Sequence, residues 1–419
     1  MCRVDIMSSR GAGGGQTTAK WLSVVGIGED GIDGLGATAR KAIADAAVVF
    51  GGKRHLELAA TLVTGEAHAW PVPFDSTMQA VLRLSGQPIC VLASGDPMQF
   101  GVGATLARLV DPFEMNVIPA PSAFSLAAAR LGWSLPDIDT VSLHGRPTDL
   151  LRPLLHPGRR ILALTSDGNA PAAIAALLTE TGFGASRLHV LEALGGPDAA
   201  THVLTASDVG TRQFDPLNVL AIEVQVSADA RILPLGPGLP DDLFEHDGQI
   251  TKREIRAMTL SALSPRRGEL LWDIGAGSGS VGIEWMQAHP SLEAIAIEAD
   301  TARWARIRRN ATACGVPGLR IVEGTAPGAL AGLPAPDAIF IGGGGSDAGV
   351  VDAAITALKS GGRLVANAVT LEMEAMLLAL HARLGGELTR ISIARASPVG
   401  TMHGWRPAMP VTQWSWIKP

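Results

Sequence analysis

Two glycine-rich turns carry most of the chemistry that the residue pattern suggests. In the C-terminal half, Asp273-Ile274-Gly275-Ala276-Gly277-Ser278-Gly279-Ser280 stands where an apolar run, Leu270 to Ile274, gives way to a helical pattern starting at Ser278. Glycines at such a turn let the backbone approach a ligand closely, and the first amides of the helix are free to donate to it. Glu298 ends the next apolar run and is placed to accept hydrogen bonds from ribose hydroxyls. The pattern calls for a nucleoside. Gly277, Gly279 and Gly282 also satisfy the dinucleotide spacing GxGxxG, so NAD and S-adenosylmethionine (SAM) both remain open. Asp273 favours SAM, because a carboxylate at the strand tip attracts the cationic amino-acid end of that molecule and would repel a pyrophosphate. A second cluster, Gly342 to Gly345, follows the fourth strand of this half and offers a backbone floor under donor or substrate.

The N-terminal half has its own turns. Val24-Val25-Gly26-Ile27-Gly28-Glu29-Asp30-Gly31 repeats the strand and GxGxxG pattern, but its second strand runs into Gly51-Gly52-Lys53-Arg54-His55 with no acid at the expected place. A dinucleotide site is weak there. Ser94-Gly95-Asp96-Pro97-Met98 is a second tight turn, and Ile118-Pro119-Ala120-Pro121-Ser122-Ala123 a third, with Ser122 as the expected N-cap of a helix to Leu131.

The elements that must position these turns are short β-branched runs alternating with Ala/Leu-rich helical windows, the pattern of α/β domains with largely parallel sheets. The 419 residues suggest two or three domains. One series runs from Trp21 to Val226, with a break into two lobes expected near Leu135 to Gly145. Ser227 to Gly248, with three prolines and an acidic cluster, is expected as a linker. A second series of five βα units fills 249–419, with the runs Glu387 to Arg395 and Thr412 to Ile417 closing as a β-hairpin; residues 1–20 are expected as a disordered extension. Hydrophobic residues make up 47% and charged residues 18%, which excludes global disorder. The net charge of −6, with no basic run, argues against a nucleic-acid partner. Cys2, Cys90 and Cys314 have no CxxC pairing, so no metal site is expected. The absence of a long apolar stretch argues against a membrane span, and a cytoplasmic protein is expected. A homo-oligomer is compatible with the sequence.

Three stretches carry a specific resemblance. Asp247-Gly248-Gln249-Ile250-Thr251-Lys252-Arg253-Glu254, then Leu271 to Ser280, then Gly361 to Glu372 resemble the decarboxylating precorrin methyltransferases of corrin biosynthesis, over about Asp241 to the C-terminus. The N-terminal turns, with Gly51 to Leu56 and Ser142-Leu143-His144-Gly145-Arg146, resemble the class III tetrapyrrole methylases. The resemblance implies a bilobed class III fold followed by a class I, Rossmann-like methyltransferase fold. It also implies one SAM site in each domain and a precorrin substrate methylated at carbons 5 and 15, with loss of carbon dioxide from an acetate. Carried over residue by residue, the cofactor contacts are Gly26, Gly28, Gly95, Asp96, Met98, Ser122 and Ala123 in the first half. In the second they are Thr251, Asp273, Gly275, Gly277, Gly279, Glu298, Gly324, Thr325, Gly342 and Gly343. Thr325 stands where many class I enzymes carry Asp, and Ala123-Phe124 where class III relatives often carry hydroxyl residues.

Methylating an electron-rich macrocycle needs position and electrostatics more than covalent help. A substrate with many carboxylates needs a cationic rim, and Lys252, Arg253, Arg395, His403 and Arg406 in one half and Lys53, Arg54, His55, His144 and Arg146 in the other are available. Protonation after carbon dioxide leaves calls for a general acid, for which His246, Glu254 and Lys252 lie nearest the matched run. Two alternatives stand beside this expectation: an NAD-dependent oxidoreductase, and a carrier that binds tetrapyrrole or SAM without turnover.

Overall fold

The strand-forming runs gather into three large sheets, and the computed structural model describes residues 20–71 and 77–419. The expected extension over 1–20 lies, but for Lys20, outside the described residues. In the first sheet β1 (Leu22–Ile27), β2 (Val48–Gly51), β3 (Glu66–Ala69), β4 (Ile89–Ser94) and β5 (Met115–Ile118) run parallel in the order β3-β2-β4-β1-β5. Leu22, Val24, Val25 and Ile27 of β1, an inner strand, are all buried, as expected when helices cover both faces of a parallel sheet.

The second sheet holds β6 (Asp139–Ser142), β7 (Arg160–Leu164), β8 (Arg187–Glu192), β9 (Ala200–Thr205) and β10 (Asn218–Glu223) in the order β6-β7-β10-β8-β9; only β6 and β7 pair in parallel. The helix Ala123–Leu131 belongs to this lobe. Its Phe124, Ala127 and Ala128 pack on Leu162, Leu191, Val219 and Ala221. The break between lobes is therefore at Pro119 to Ser122, a correction to the expected Leu135 to Gly145. Both prolines lie between β5 and this helix, whose apolar face then chooses the second sheet.

The third sheet is built from β11 (Leu270–Ile274), β12 (Glu293–Glu298), β13 (Arg320–Glu323), β14 (Ala338–Ile341), β15 (Arg363–Ala368) and β16 (Glu387–Ile391). A separate ribbon, β17 (Ala394–Val399) with β18 (Met402–Pro407), follows, and β19 (Val411–Ile417) returns antiparallel between β15 and β16. The order β13-β12-β11-β14-β15-β19-β16, with five parallel strands and an antiparallel insertion, matches the class I arrangement expected. The ribbon β17/β18 was not anticipated.

The expected linker is a packed strap over much of its length. Leu233, Leu239 and Phe244 are buried with Leu260, Leu263 and Trp285 in the core of the third sheet, whereas Ala230 and Ile232 pack on the second lobe. Arg256, which has no solvent exposure, ties the strap down. Its Nε donates to Glu284 Oε1 at 2.5 Å, Nη1 to Asp241 Oδ1 at 3.1 Å and to the Thr251 carbonyl at 2.5 Å, and Nη2 to the Leu239 carbonyl. Glu284 also accepts from the Gly238 and Leu239 amides at 2.6 and 2.9 Å. Removing one partner of such a buried pair leaves an uncompensated charge, so Arg256→Met should cost about 3–5 kcal/mol in denaturant unfolding of the full chain. Adding Glu284→Gln should recover part of that loss; an unchanged midpoint in Arg256→Met would contradict the assignment.

Candidate active site

Open α/β sheets bind ligands beyond the carboxyl ends of their strands, and the third sheet has a cavity of about 540 Å³ there, within the range of small-molecule sites. Gly275, Ala276 and Gly277 line it after β11, Glu298 after β12, Gly324 and Thr325 after β13, and Gly342 to Gly344 after β14. Asn367 and Val369 line it at the end of β15, the segment Gly248 to Lys252 with Glu254 forms another wall, and Arg395 and Met409 stand on the ribbon side.

Backbone proximity shapes this wall. Gly275 has φ +69°, and a Cβ there would lie 2.5 Å from the Gly343 carbonyl oxygen, so the turns after β11 and β14 can meet only without a side chain. Gly277, with φ +60°, donates its amide to Glu298 Oε2 at 2.7 Å, and a Cβ would stand 3.1 Å from the Gln249 carbonyl. Glu298 is 5% exposed; its Oε1 accepts from the Asp300 amide at 3.0 Å and lies 3.6 Å from Arg303 Nη1. The carboxylate is thus fixed at the cavity edge.

Three expected residues are not on this wall. Asp273 is 1% exposed beneath the turn, where Oδ2 accepts from the Gly282 amide at 3.0 Å and Oδ1 has no hydrogen-bond partner. Burial, with a smaller push from the Glu298 charge and against the Gly282 bond, raises its pKa to about 7. It anchors the start of the helix Ser280–Gln287 rather than facing the cavity. Gly279 lies against Ile307, where a Cβ would meet that side chain at 2.8 Å. His246 is exposed, and its Nδ1 accepts from the Gly248 amide at 3.1 Å. Of the three candidate acids, Lys252 and Glu254 are on the wall. Lys252 occupies the N-cap position of the helix Arg253–Leu263 without a side-chain cap bond, its Nζ 3.9 Å from Asp241, and Glu254 pairs with Arg395.

Sequence reasoning missed Asn367 and Arg303 as wall residues. Asn367 donates Nδ2 to Thr259 Oγ1 at 2.9 Å and accepts at Oδ1 from Gln413 Nε2 at 2.9 Å. A lone amide in the otherwise apolar run Leu364 to Ala368 was the available signal.

In the N-terminal half the structure brings the three turns into contact. A Cβ on Gly26 would clash with the Gly95 carbonyl and lie 2.6 Å from the Ala120 amide, while that amide donates to the Gly95 carbonyl at 3.1 Å. Gly95 has φ +54° and abuts the Pro121 carbonyl. Gly28 opens the turn closed by the Gly31 amide. Asp96 Oδ1 accepts from the Met98 amide at 2.8 Å, leaving the Met98 side chain about half exposed. Ser122 spends its hydroxyl on the cap, accepting from the Ser125 amide at 3.2 Å, and Ala123 packs with the second lobe's core. Beside these turns His55 Nε2 lies 2.8 Å from Ser94 Oγ, which also receives Arg54 Nη2 at 3.1 Å, and Arg54 pairs with Glu29. Burial first, and then the Arg54 charge, lowers the His55 pKa to about 4.

Comparison with known proteins agrees with this division. The family described as tetrapyrrole (corrin/porphyrin) methylases matches residues 22–210, and the precorrin methyltransferase domain matches residues 242–418. A Sinorhizobium protein named precorrin-6Y C(5,15)-methyltransferase [decarboxylating] is 64% identical over 398 residues, covering 95% of this chain and 96% of that one. The chain belongs to the precorrin-6Y C(5,15)-methyltransferase (decarboxylating) family. A Mycobacterium tuberculosis member of the same name is 43% identical over 95% of this chain and 100% of its own. A Salmonella typhimurium protein named cobalt-precorrin-6B C(15)-methyltransferase (decarboxylating) is 35% identical over 181 residues, 41% of this chain and 92% of that one. Methyltransferases of this family depend on SAM.

Asp273 yields a stability test. The unfolded chain loses this proton near pH 3.8 and the folded chain near pH 7, so the folded state holds the extra proton between them. That contribution is complete below about pH 4 and is lost as pH rises to about 7. Asp273→Asn should therefore flatten the fall in unfolding free energy over this window; an identical slope in variant and parent would refute the burial argument.

Proposed function

We propose that this chain methylates a precorrin macrocycle twice, at carbons 5 and 15, and removes one acetate carboxylate as carbon dioxide, in cobalamin biosynthesis. The carbon-15 methylation and the decarboxylation belong to residues 249–419 and the carbon-5 methylation to residues 21–226, with 227–248 joining them. The observation that carries this reading is the glycine-walled cavity at Gly275, Gly277 and Gly343, edged by Glu298, in a chain whose other half gathers a second set of strand-end glycines at Gly26 and Gly95. The name of the Salmonella relative joins carbon-15 methylation to decarboxylation in a protein matched by 41% of this chain, which supports housing both steps in one half.

The C-terminal cavity fits SAM. Glu298 has an oxygen edge for ribose hydroxyls, and the backbone at Gly275 and Gly277 has no side chain in the way. Thr251, Gly324, Thr325, Gly342 and Gly343 complete that contact set. In the other half Gly26, Gly28, Gly95, Asp96 and Met98 hold the second molecule. SAM supplies the methyl group and its own leaving group. This chain's residues hold the macrocycle in line and exclude water, and Val369 and Met409 offer it an apolar wall. After carbon dioxide leaves, the carbon needs a proton. Glu254 is hydrogen-bonded to Arg395, whereas the Lys252 ammonium makes no hydrogen bond among the described residues and lies 3.9 Å from Asp241, so Lys252 is assigned as the donor. No helix among the described residues is long and apolar enough to cross a membrane. We place the protein in the cytoplasm on its small-molecule chemistry and its two buried free thiols, Cys90 and Cys314.

Titration calorimetry with S-adenosylhomocysteine tests the two-site reading. Two molecules should bind per chain, one to each half, and Gly26→Val or Gly277→Val should each leave one. A single site in the parent chain, or two sites surviving Gly277→Val, would overturn the assignment.

A further inference from the structure

The ribbon β17/β18 carries a charge arrangement that its own packing does not explain. In its register Arg395 stands directly opposite Arg406. Residues so paired in an antiparallel ribbon project from one face with Cβ atoms about 4.5–5.5 Å apart, and like charges there destabilise the pairing. Both side chains are exposed, and Arg395 is on the wall of the C-terminal cavity. Its Nη2 donates to Glu254 Oε2, while Nε and Nη1 make no hydrogen bond among the described residues, and Arg406 makes no ion pair there. Glu254 thus pairs with Arg395 alone, and Arg406 stands across the ribbon from it without an ion pair among the described residues. Of the remaining wall cations, Arg303 is already engaged, 3.1 to 3.6 Å from carboxylate oxygens of Asp247, Glu298 and Asp300, and Lys252 is a single ammonium 3.9 Å from Asp241.

We propose that Arg395 and Arg406 form the receptor for one carboxylate side chain of the tetrapyrrole at the cavity mouth. Glu254 is the positioning residue that holds the Arg395 guanidinium on the wall while leaving its second edge free. A guanidinium fork suits a carboxylate because two parallel N–H donors match its two oxygens, which an ammonium cannot do. The incoming acid also relieves the repulsion between the two arginines, so the cost of placing them opposite each other is recovered on binding. This assignment rests on the C-terminal cavity being the methylating and decarboxylating site.

The test measures carbon dioxide release by the full chain against macrocycle concentration, with S-adenosylhomocysteine affinity measured alongside. Arg395→Gln and Arg406→Gln should each raise KM about tenfold, roughly the value of one charge-assisted contact, with kcat and S-adenosylhomocysteine affinity little changed. The double variant should raise KM further. Arg395→Lys should recover only part of the loss, and Glu254→Gln should stay closer to the parent than Glu254→Ala because the amide oxygen still accepts from Nη2. Unchanged KM in the double variant would overturn the receptor. Absence of carbon dioxide release from the parent chain would instead defeat the functional reading beneath it.

Discussion

The structure depends on how closely two strand-end turns can approach. At the carboxyl edge of the third sheet Gly275 sits where any side chain would run into Gly343. In the first sheet Gly26 stands in the same relation to Gly95 and Ala120. One contact joins the turn after β11 to the turn after its neighbour β14, and the other joins the end of β1 to the turn after its neighbour β4. Two unlike sheets, one of them with an antiparallel insertion, use the same device: a missing Cβ lets backbone form the wall. Backbone walls bring donors and acceptors to a ligand at little conformational cost, because the sheet already fixes them.

The segment over the C-terminal cavity is held at both ends by charge. Asp247 Oδ2 lies 2.8 Å from Arg306 Nη1 and accepts from Arg303 Nε at 3.1 Å, and these guanidinium groups, with the Gln249 amide, hold its carboxyl well below the usual carboxylate range. Four residues on, the Thr251 carbonyl is gripped by the buried Arg256. The carbonyl of Gln249, between these anchors, is the group that faces Gly277. Arg256 therefore couples the strap from the N-terminal half, the wall segment and the helix that begins just beyond the glycine turn. The cavity reads as a fixed recess whose floor and near wall share one buried ion pair.

The sequence made the local features legible. The glycine turns and the Ser122 cap depend on a few adjacent residues, and each appears where the pattern put it. What depends on long-range packing was not legible. The helix Ala123–Leu131 looked like the end of the first lobe because its sequence neighbours are there, yet Phe124 and Ala127 fit the second sheet. Leu233, Leu239 and Phe244 are separated by prolines and glycines and show no periodicity, so their burial in the third sheet's core could not be read from spacing. Glu284 lies 28 residues from Arg256, beyond any helical spacing that could pair them. Asp273 and Glu298 both end strands in the same sheet, but the first points under the turn and the second to the cavity edge, a distinction that strand alternation alone does not supply.

The central claim is that methylation is divided between the halves while decarboxylation stays with the C-terminal cavity. Mass spectrometry of the product formed by the full chain from the reduced precorrin and methyl-labelled SAM, under anaerobic conditions, addresses it directly. The account predicts two labelled methyl groups gained and one carbon dioxide lost. With Gly277→Val it predicts one methyl gained, at carbon 5, and the carboxylate retained. Carbon dioxide loss that persists in the Gly277→Val chain would contradict it.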